Sequence, residues 1–455
     1  MFFDVDNPYT KKTIKKLKFH SEEEILLKIE KFKDFKLEDN HKVKISKILK
    51  AIILDIKDHK NTWAVLISSE GGKPYKDAVI EVERALQSIE IAISELYNFA
   101  GNEIPMGLSE SSVNNIAFES YVPYGPVLAI SAFNHPLNLI VHQLVPALIV
   151  GCPVLLKPSL DTPLTAINFV DLLHNKGISK ELCDLVLCNN DSTEALAKNS
   201  FFKVINFIGS SKVGWYLRSV ISPGTRICLE HGGVAPVVIS KNSNYKKYLE
   251  NIAKAAFYHA GQVCISTQKI YVYEGLYDEF CGELISFTKK LRVGDPLDKT
   301  IEVGPIIGDN QYKKILKLIR ESGGNILCGG QGIDSHNIIE PTIISDVPID
   351  NVMNQEEIFG PVVLVEKYKE LDEVIRKINN CKYAFQASMF SNDYNEIMQF
   401  NKNIEAKAVL VNNPTTYRVD WMPFGGVKES GLGNGGIKYT MQEYCYKKMM
   451  VFRCF

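Results

Sequence analysis

The chain has 455 residues, of which 45% are hydrophobic, and its formal net charge at pH 7 is −1. A chain of this length can bury large cores and is expected to divide into two or three domains. The near-neutral charge gives no electrostatic basis for binding nucleic acid or an anionic membrane surface. The ten cysteines include no Cys-x-x-Cys pair and no Cys/His cluster at metal spacing. The sequence therefore predicts neither a disulfide framework nor a metal site, and it fits a reducing cytoplasm.

The N-terminal residues 1–6 contain acidic side chains where a signal peptide would carry basic ones, and no apolar segment follows them. The most apolar stretch, 136–156, contains Asn138, His142 and Gln143. We interpret it as a buried helix followed by a buried strand, not as a membrane span. We therefore expect neither export nor a membrane partner.

Residues 21–100 carry apolar side chains at helical spacing between Lys and Glu. Three runs, near 25–32, 45–52 and 78–99, predict surface helices. The third run places Val82, Ala85 and Ile89 on one face, which is typical of core packing, and we assign no chemistry to it.

From residue 122 the pattern changes to short β-rich runs that alternate with helices. Strands are predicted near 127–130, 153–156, 185–188, 204–207 and 227–230, with helices near 137–150 and 163–174. A second α/β unit follows, with strands near 237–239, 270–272, 362–366 and 409–411 and helices near 276–291 and 312–322. This alternation predicts two doubly wound α/β domains that meet at a cleft, with a nucleotide at the carboxyl ends of the strands.

The segment 256–266 ends a run of small residues in one cysteine, Cys264. Gly261 permits a tight turn that brings the backbone close to a substrate carbonyl, so Cys264 is a candidate nucleophile. Alone this signal is weak, because most cysteines are small buried hydrophobic residues. Upstream, Glu230 leaves an apolar strand just before two glycines. Poor solvation there should raise its pKa into the range of a general base.

These two stretches resemble active-site segments of the NAD(P)-dependent aldehyde dehydrogenase superfamily. The resemblance continues through 124–126, 133–136, 156–159, 207–210, 357–361 and 423–428. It implies an aldehyde dehydrogenase-like α/β fold with a small β arm through which subunits pair as a homodimer or homotetramer. It also implies a cofactor-binding domain in 1–102 and 124–231, a catalytic domain in 232–422 and an oligomerisation arm in 103–123 and 438–455.

By the same resemblance, Cys264 attacks the aldehyde, and the Asn134 amide with the backbone N–H of Cys264 holds the oxyanion. Hydride leaves to the nicotinamide, and water activated by Glu230 releases the acid from the thioester. His231 and Lys269 differ from the residues that relatives usually carry, and we assign no role to either.

The implied cofactor is NAD or NADP. The residues expected to contact it are Lys157, Ser159, Gly209, Ser210, Val213, Glu357 and Phe359. NAD-preferring relatives often carry an acid at the position of Leu160, whereas here Asp161 comes one residue later, so the choice between NAD and NADP stays open. The sequence 431–436 matches G-x-G-x-x-G, but too few residues follow it for a βαβ unit, and we interpret it as loop glycines.

Positions that line the aldehyde tunnel in the family align with His135, His142 and Arg418. A guanidinium there suits a carboxylate or phosphate on the substrate, although a solvent-facing loop arginine is an equal alternative. We expect oxidation of a small polar or anionic aldehyde such as lactaldehyde, a glyceraldehyde-type aldehyde or a semialdehyde. Two alternatives are a CoA-acylating relative and a catalytically silent protein on the same fold.

Overall fold

The computed structural model describes residues 1–454. The first part of the chain contains β1 (Phe2–Asp6), β2 (Thr13–Lys18), α1 (Glu22–Phe32), α2 (His41–Asp58), α3 (Lys60–Gly71), α4 (Tyr75–Glu95), β3 (Glu103–Ile104) and β4 (Asn115–Pro123). The next part contains β5 (Val127–Ile130), α5 (Asn138–Val150), β6 (Val154–Lys157), α6 (Pro163–Asn175), β7 (Cys183–Leu185), α7 (Asn190–Lys198), β8 (Val204–Ile208), α8 (Ser211–Val220) and β9 (Arg226–Glu230).

The remaining chain begins with β10 (Pro236–Ile239), α9 (Leu249–Phe257), β11 (Lys269–Tyr273), α10 (Tyr277–Thr288), α11 (Asp309–Arg320), β12 (Asn325–Cys328), β13 (Gly332–Ile333), β14 (Ile338–Ile339) and β15 (Thr342–Ser345). It continues with β16 (Val362–Tyr368), α12 (Leu371–Asn379), β17 (Tyr383–Ala384), β18 (Gln386–Phe390), α13 (Tyr394–Asn403), β19 (Ala408–Val411), β20 (Val427–Lys428), β21 (Gly431–Leu432), α14 (Ile437–Glu443) and β22 (Cys445–Arg453).

The first large sheet has six strands in the order β21-β9-β8-β5-β6-β7. Four of its five strand pairings are parallel, and at one edge β21 runs antiparallel to β9. Every residue of β5 and β6 is buried. Helices cover both faces of a parallel sheet, which is why these strands are continuous apolar runs without polar alternation.

The second large sheet has seven strands in the order β12-β15-β16-β11-β10-β18-β19. Its strands are parallel apart from β12, which pairs antiparallel with β15. Buried side chains of α9, α10 and α11 pack on one face and those of α12 and α13 on the other. The predicted pair of doubly wound α/β sheets is confirmed, with one antiparallel edge strand added to each.

A separate three-stranded sheet joins β22, β4 and β3, and β22 pairs with β4 over nine residues. Apolar side chains on β22 are exposed: Met449, Met450, Val451 and Phe452. The helix α14 lies within the predicted arm segment 438–455, yet its Ile437 and Met441 belong to the core formed by α4 and α5. The division of the chain into domains stays a prediction.

Several elements were not predicted, among them α7, α9, β12, β15, α12 and α13. Three further differences concern β7, β18 and α3, and buried polar residues explain the first two. The strand β7 begins at Cys183, earlier than the predicted strand at 185–188. The prediction missed this start because the acidic Asp184 lies inside the strand, where it pairs with Lys28 at 2.8 Å. The inner strand β18 was not predicted, since Gln386 and Ser388 interrupt its apolar pattern although both are buried. The helix α3 directly follows α2 after His59 and has no side-chain cap to mark its start. Within residues 1–454, no helix is both long and apolar enough to span a bilayer.

Candidate active site

A cavity of about 590 Å³ opens between the two large sheets. Glu230, the last residue of β9, and Ile208, the last residue of β8, lie on its surface. Asn134, in the loop after β5, lies there too. The cavity therefore occupies the carboxyl edge of the first sheet, where doubly wound folds bind ligands.

Cys264 reaches this cavity from a tight turn after α9. The backbone φ angles of His259, Ala260 and Gly261 are +50°, +53° and +69°. A Cβ on Gly261 would lie 2.0 Å from the carbonyl oxygen of Gly360, so glycine is required both for the conformation and for the close approach. The turn is thereby packed against the backbone that follows Phe359.

The side chain of Gln262 fixes the same turn from inside the protein. It is fully buried, its Nε2 donates to the carbonyls of His259 and Pro305 at 3.2 Å, and its Oε1 accepts from the Ile307 N–H at 3.0 Å. Each polar atom of the amide thus has a partner. Cys264 stands on a turn whose position is set by three separate chain segments.

Asn134 is tied directly to this turn. Its Nδ2 donates a hydrogen bond of 2.9 Å to the carbonyl oxygen of Gln262, two residues before Cys264. A carboxamide nitrogen has two N–H donors, so one remains for an oxygen atom in the cavity. The side chain is 5% exposed, which leaves the amide poorly solvated and its free donor strong.

Two acidic groups, Glu230 and Glu357, line the cavity together with the Cys264 thiol. Burial raises the pKa of Glu230 to about 7, and the charge of Arg418 opposes this rise. Burial also raises the pKa of the Cys264 thiol well above its usual value, and the neighbouring carboxylates Glu230 and Glu357 add to the increase. Without ligands the cysteine is therefore a neutral thiol, and Glu230 can hold or release a proton near neutral pH.

The glycine-rich segment 431–436 forms the back of the Glu230 site. Gly431 pairs with Glu230 across the sheet edge, and a Cβ on Gly435 would lie 3.4 Å from Glu230 Oε2. A second cavity of about 30 Å³ lies here and includes Glu230 and Gly435 among its lining residues. The segment therefore packs against the base.

The outer end of the cavity fits the dinucleotide that the resemblance implies. Burial raises the pKa of Glu357 to about 8, and its Oε1 is buried without any hydrogen-bond partner. This carboxylate lies against Gly232, where a Cβ would come within 1.6 Å of Oε1. Phe359 packs edge-on against Phe133 at 5.7 Å. An unpartnered acceptor beside an aromatic ring suits a ribose hydroxyl and a nicotinamide.

Gly209 and Ser210 lie on the cavity surface immediately before α8. Lys157, Ser159 and Val213, also expected at the cofactor, are not on that surface. Lys157 is buried, which lowers its pKa, and Val213 is exposed on the first turn of α8.

The carboxylate nearest to position 160, where NAD-preferring relatives often carry an acid, belongs to the next residue, Asp161. Asp161 lies on the cavity surface, whereas Leu160 does not. Ser159 Oγ donates to Asp161 Oδ2 at 3.3 Å and accepts from the Asp161 N–H at 3.2 Å. Burial raises the pKa of Asp161. Ser159 therefore orients this carboxylate and has no cavity contact of its own.

The substrate end contains two arginines, of which only Arg418 was expected. The Arg418 guanidinium lies 3.5 Å above the Phe424 ring, its Nε is buried without a hydrogen bond, and it is 3.7 Å from Asp420. Arg84, from α4, also lines the cavity and binds Asp420 through two hydrogen bonds of 3.0 and 2.8 Å. Burial lowers the pKa of Arg418 to about 10, so it remains charged at neutral pH.

His135 and His142 occupy different places. His135 lies on the surface of the main cavity. His142 does not, because its Nε2 faces inward to Asp420 at 3.0 Å and Ser88 at 3.1 Å. Burial lowers the pKa of His142 to about 4, so the ring is neutral. The structure gives His142 a contact with Asp420 and none with the main cavity, which corrects its expected place on the substrate wall.

Sequence reasoning missed Arg84 because it treated the helix α4 as core packing only. The missed signal is a polar stripe at helical spacing on that helix: Asp77, Glu81, Arg84 and Ser88. Glu81 is buried, forms an ion pair with Lys73, and accepts from the N–H groups of Leu137 and Asn138 at the start of α5. Charged groups at i, i+4 and i+7 beside an apolar face indicate a buried polar site.

Comparison with known proteins agrees with this geometry. The model of the aldehyde dehydrogenase family matches residues 1–450. A lactaldehyde dehydrogenase from Methanococcus vannielii is 36% identical over 459 residues, covering 98% of this chain and 96% of that protein.

Two solved structures have nearly the same fold. Aldehyde dehydrogenase 21 from Physcomitrella patens, in complex with the reaction product succinate, has a TM-score of 0.95 at 31% identity, covering 100% of this chain and 95% of the other. Glyceraldehyde-3-phosphate dehydrogenase GapN from Methanocaldococcus jannaschii, in complex with NADP, has a TM-score of 0.92 at 32% identity, covering 99% and 98%. The chain belongs to the aldehyde dehydrogenase family and is an NAD(P)-dependent oxidoreductase that acts on aldehydes.

Proposed function

We propose that the protein oxidises a small aldehyde bearing an anionic group to the carboxylic acid, with Cys264 as nucleophile. The observation that carries the proposal is the charge of the substrate end of the cavity. Arg84 and Arg418 contribute two positive charges, Asp420 contributes one negative charge, and His142 is neutral. These four groups together leave one positive charge, and Glu230, whose pKa is raised to about 7, offsets it only when Glu230 is ionised. Burial strengthens the attraction of this positive charge for a carboxylate, phosphate or sulfonate.

Arg418 is the group best placed to use this charge. Its planar face is stacked on Phe424, and its Nε has no partner in the protein. Stacking leaves the edge of the guanidinium, which carries the N–H donors, free for an oxyanion. The names of two relatives support an anionic substrate, since one structure holds succinate and another is a dehydrogenase of glyceraldehyde 3-phosphate. The substrate named for the Methanococcus vannielii relative, lactaldehyde, is small and polar but neutral.

In the first step, the thiol of Cys264 gives up its proton, to solvent or to the Glu230 carboxylate, and adds to the aldehyde carbon. The carbonyl oxygen becomes an oxyanion, which accepts from the free N–H of Asn134 and the backbone N–H of Cys264. This arrangement places donors where charge develops. When bound, NAD(P) supplies the hydride acceptor that converts this adduct to a thioester. Glu357, Phe359, Gly209 and Ser210 would hold it, with Asp161 at the adenosine end.

Before the second step, Glu230 releases any proton it has accepted to solvent. The Glu230 carboxylate then removes a proton from a water molecule that attacks the thioester carbon. The carbon–sulfur bond breaks, this proton returns to the thiolate, and the acid is released. A pKa of about 7 suits both halves of the cycle, because the same carboxylate must accept a proton and then give it up. The small cavity behind Glu230 is large enough for about one water molecule.

The CoA-acylating alternative is disfavoured by Glu230, since transfer of the thioester to CoA needs no base for water. The test is an aldehyde panel assayed with NAD and with NADP, each with and without CoA. The panel contains succinic semialdehyde and glyceraldehyde 3-phosphate, each beside a neutral aldehyde of equal chain length, and also lactaldehyde, which is neutral. We expect CoA-independent formation of NAD(P)H, with kcat/KM at least about tenfold higher for the anionic member of a pair, the value of one charge-assisted hydrogen bond.

Equal kcat/KM for the anionic and neutral members would reject the anionic substrate. Formation of an acyl-CoA would reject hydrolysis. Absence of NAD(P)H with every aldehyde would favour the silent protein.

We also propose that the protein is a homodimer or homotetramer assembled through β22 in the cytoplasm. The exposed apolar side chains of β22 support subunit pairing, because such patches are uncommon on monomers. Light scattering of the wild type, compared with a variant in which Met449 and Val451 are replaced by Lys, tests this pairing.

A further inference from the structure

His231 follows Glu230 directly, and its buried ring lies against the turn between β8 and α8. The side chain is 1% exposed, and its Nδ1 is 2.9 Å from the carbonyl oxygen of Gly209. A carbonyl oxygen only accepts, so the neutral ring carries its proton on Nδ1 and donates it. The other nitrogen, Nε2, is buried and has no partner.

The backbone of Gly209 is held a second time by the neighbouring residue. Its N–H donates to the carbonyl oxygen of Glu230 at 3.1 Å. Both polar backbone groups of Gly209 are therefore bonded to residues 230 and 231. Through Gly209, the turn that precedes α8 is hydrogen-bonded to the end of β9, which carries Glu230.

The ring of His231 occupies a space that Gly214 leaves open on α8. A Cβ on Gly214 would lie 2.0 Å from Cε1 and 2.5 Å from Nε2 of the ring. The ring also contacts Phe207 at 5.8 Å and Trp215 at 6.2 Å between ring centres. His231 thus packs between β8 and the first turns of α8 and sets the separation between them.

The first turn of α8 faces the outer end of the cavity. Ser210 is the N-cap of this ten-residue helix, and its side chain makes no capping hydrogen bond. Gly209 and Ser210 both line the cavity. The N–H groups of the first turn are therefore available to an anionic ligand.

We propose that His231 is a positioning residue that holds the turn at Gly209–Ser210 in the orientation required by the diphosphate of the dinucleotide. The side chain acts through the Gly209 carbonyl and through its packing on Gly214, without touching the ligand's reacting atoms. This inference rests on the proposed contact between that turn and the cofactor phosphates. It gives a role to His231, a residue beside the base that the catalytic steps leave unused.

The test is calorimetric binding of ADP-ribose, which has the diphosphate but no nicotinamide, to the full-length protein. His231→Asn keeps a donor near the position of Nδ1, whereas His231→Leu removes it. We expect His231→Leu to raise the Kd of ADP-ribose about two- to tenfold, and His231→Asn to stay within about twofold of the wild type. Adenosine, which lacks phosphates, should bind all three proteins equally. In steady state, His231→Leu should raise the KM for NAD(P) with little change in kcat.

His174→Leu is the matched control, because the His174 ring donates to the carbonyl oxygen of Cys183 at 2.9 Å, on the edge strand β7 of the same sheet. It should leave the Kd of ADP-ribose unchanged. If His231→Leu does not fold, His231→Gln replaces it, since its longer amide cannot place a donor at the Nδ1 position.

Unchanged ADP-ribose binding by His231→Leu, or equal losses in His231→Leu and His231→Asn, would overturn the proposal. A parallel loss of adenosine binding would overturn it too. A wild type that binds ADP-ribose but oxidises no aldehyde would reject the proposed function and leave this inference standing.

Discussion

The amide of Asn134 is bonded to the carbonyl of Gln262 at 2.9 Å, which joins the loop after β5 to the turn that presents Cys264. Asn134 follows a strand of the six-stranded sheet, and Cys264 precedes a strand of the seven-stranded sheet. Their relative position is therefore set by a direct hydrogen bond as well as by the packing of the surrounding elements. The second N–H of the amide has no part in this bond and is therefore free to donate to the oxyanion of the substrate.

Replacing Asn134 by Ala should lower kcat about 10²–10³-fold, the usual loss for one oxyanion donor. The fold should survive, because the Gln262 side chain and the Gly261 turn have their own partners. Steady-state kinetics with a thermal melt of each protein provides the measurement. A loss below about tenfold with an unchanged melting temperature would remove Asn134 from the oxyanion site.

Glu230 should govern the pH dependence of the hydrolytic step. Its pKa is raised to about 7, so the carboxylate that activates water increases as pH rises through 7. Where hydrolysis limits turnover, kcat of the wild type should rise between pH 6 and pH 8 and then level off. Glu230→Gln should be slow at every pH, and it should show a burst of NAD(P)H as the thioester accumulates.

The raised pKa of Glu230 also affects the stability of the protein. Because the folded pKa lies above the unfolded value of 4.5, folding binds a proton between those values, and Glu230 stabilises the protein less as pH rises from 4.5 to 7. Glu230→Gln should therefore gain stability relative to the wild type at pH 8, and the gain should shrink toward pH 5. Chemical denaturation at the two pH values measures this difference. An equal difference at both would mean that the Glu230 pKa is not raised.

Asp161 should disfavour NADP, because its carboxylate lines the cavity at the position expected for the adenosine ribose. Asp161→Asn removes the charge that would repel a 2′-phosphate, and it should raise the ratio of kcat/KM for NADP over NAD at least about fivefold. Leu160→Glu should change the ratio less, since Leu160 is not on the cavity surface. A larger change in this ratio for Leu160→Glu than for Asp161→Asn would mean that residue 160, and not Asp161, faces the adenosine ribose.

Arg418→Leu should lose about ten- to two-hundred-fold in kcat/KM on a carboxylated or phosphorylated aldehyde, which corresponds to roughly 1.5–3 kcal/mol. A neutral aldehyde of equal length should be affected much less, because it has no charge to pair. Arg376→Leu, at an exposed position on α12, is the matched control. Equal losses on both substrates would assign Arg418 to the structure of its loop.

The sequence was sufficient for the parts of the site that depend on local order along the chain. Cys264, Glu230 and Asn134 each follow a buried element and carry recognisable neighbours, so their places were predictable. The dinucleotide end was predicted less completely, because a shift of one residue decides whether Leu160 or Asp161 faces the cavity. Local pattern does not determine side-chain direction in a loop.

Contacts between distant segments were not predictable from the sequence. Arg84 binds Asp420 from 336 residues away, and only the folded chain shows that this pair lies beside Arg418. His142 was expected at the substrate, but it bonds to Asp420. For the same reason β18 was missed, since its buried Gln386 finds a partner in the distant Tyr417 carbonyl.

Mass spectrometry of the acyl-enzyme shows directly whether Cys264 forms a covalent thioester. Glu230→Gln is mixed with a carboxylated aldehyde and NAD(P), quenched in acid, and analysed as intact protein and as peptides. We expect the peptide that contains Cys264 to gain the mass of one acyl group. This gain should appear only when both aldehyde and cofactor are present. It should be absent from the double variant that also carries Cys264→Ala. An unmodified Cys264 during NAD(P)H formation, or the acyl group on another of the ten cysteines, would contradict the role of Cys264 as nucleophile.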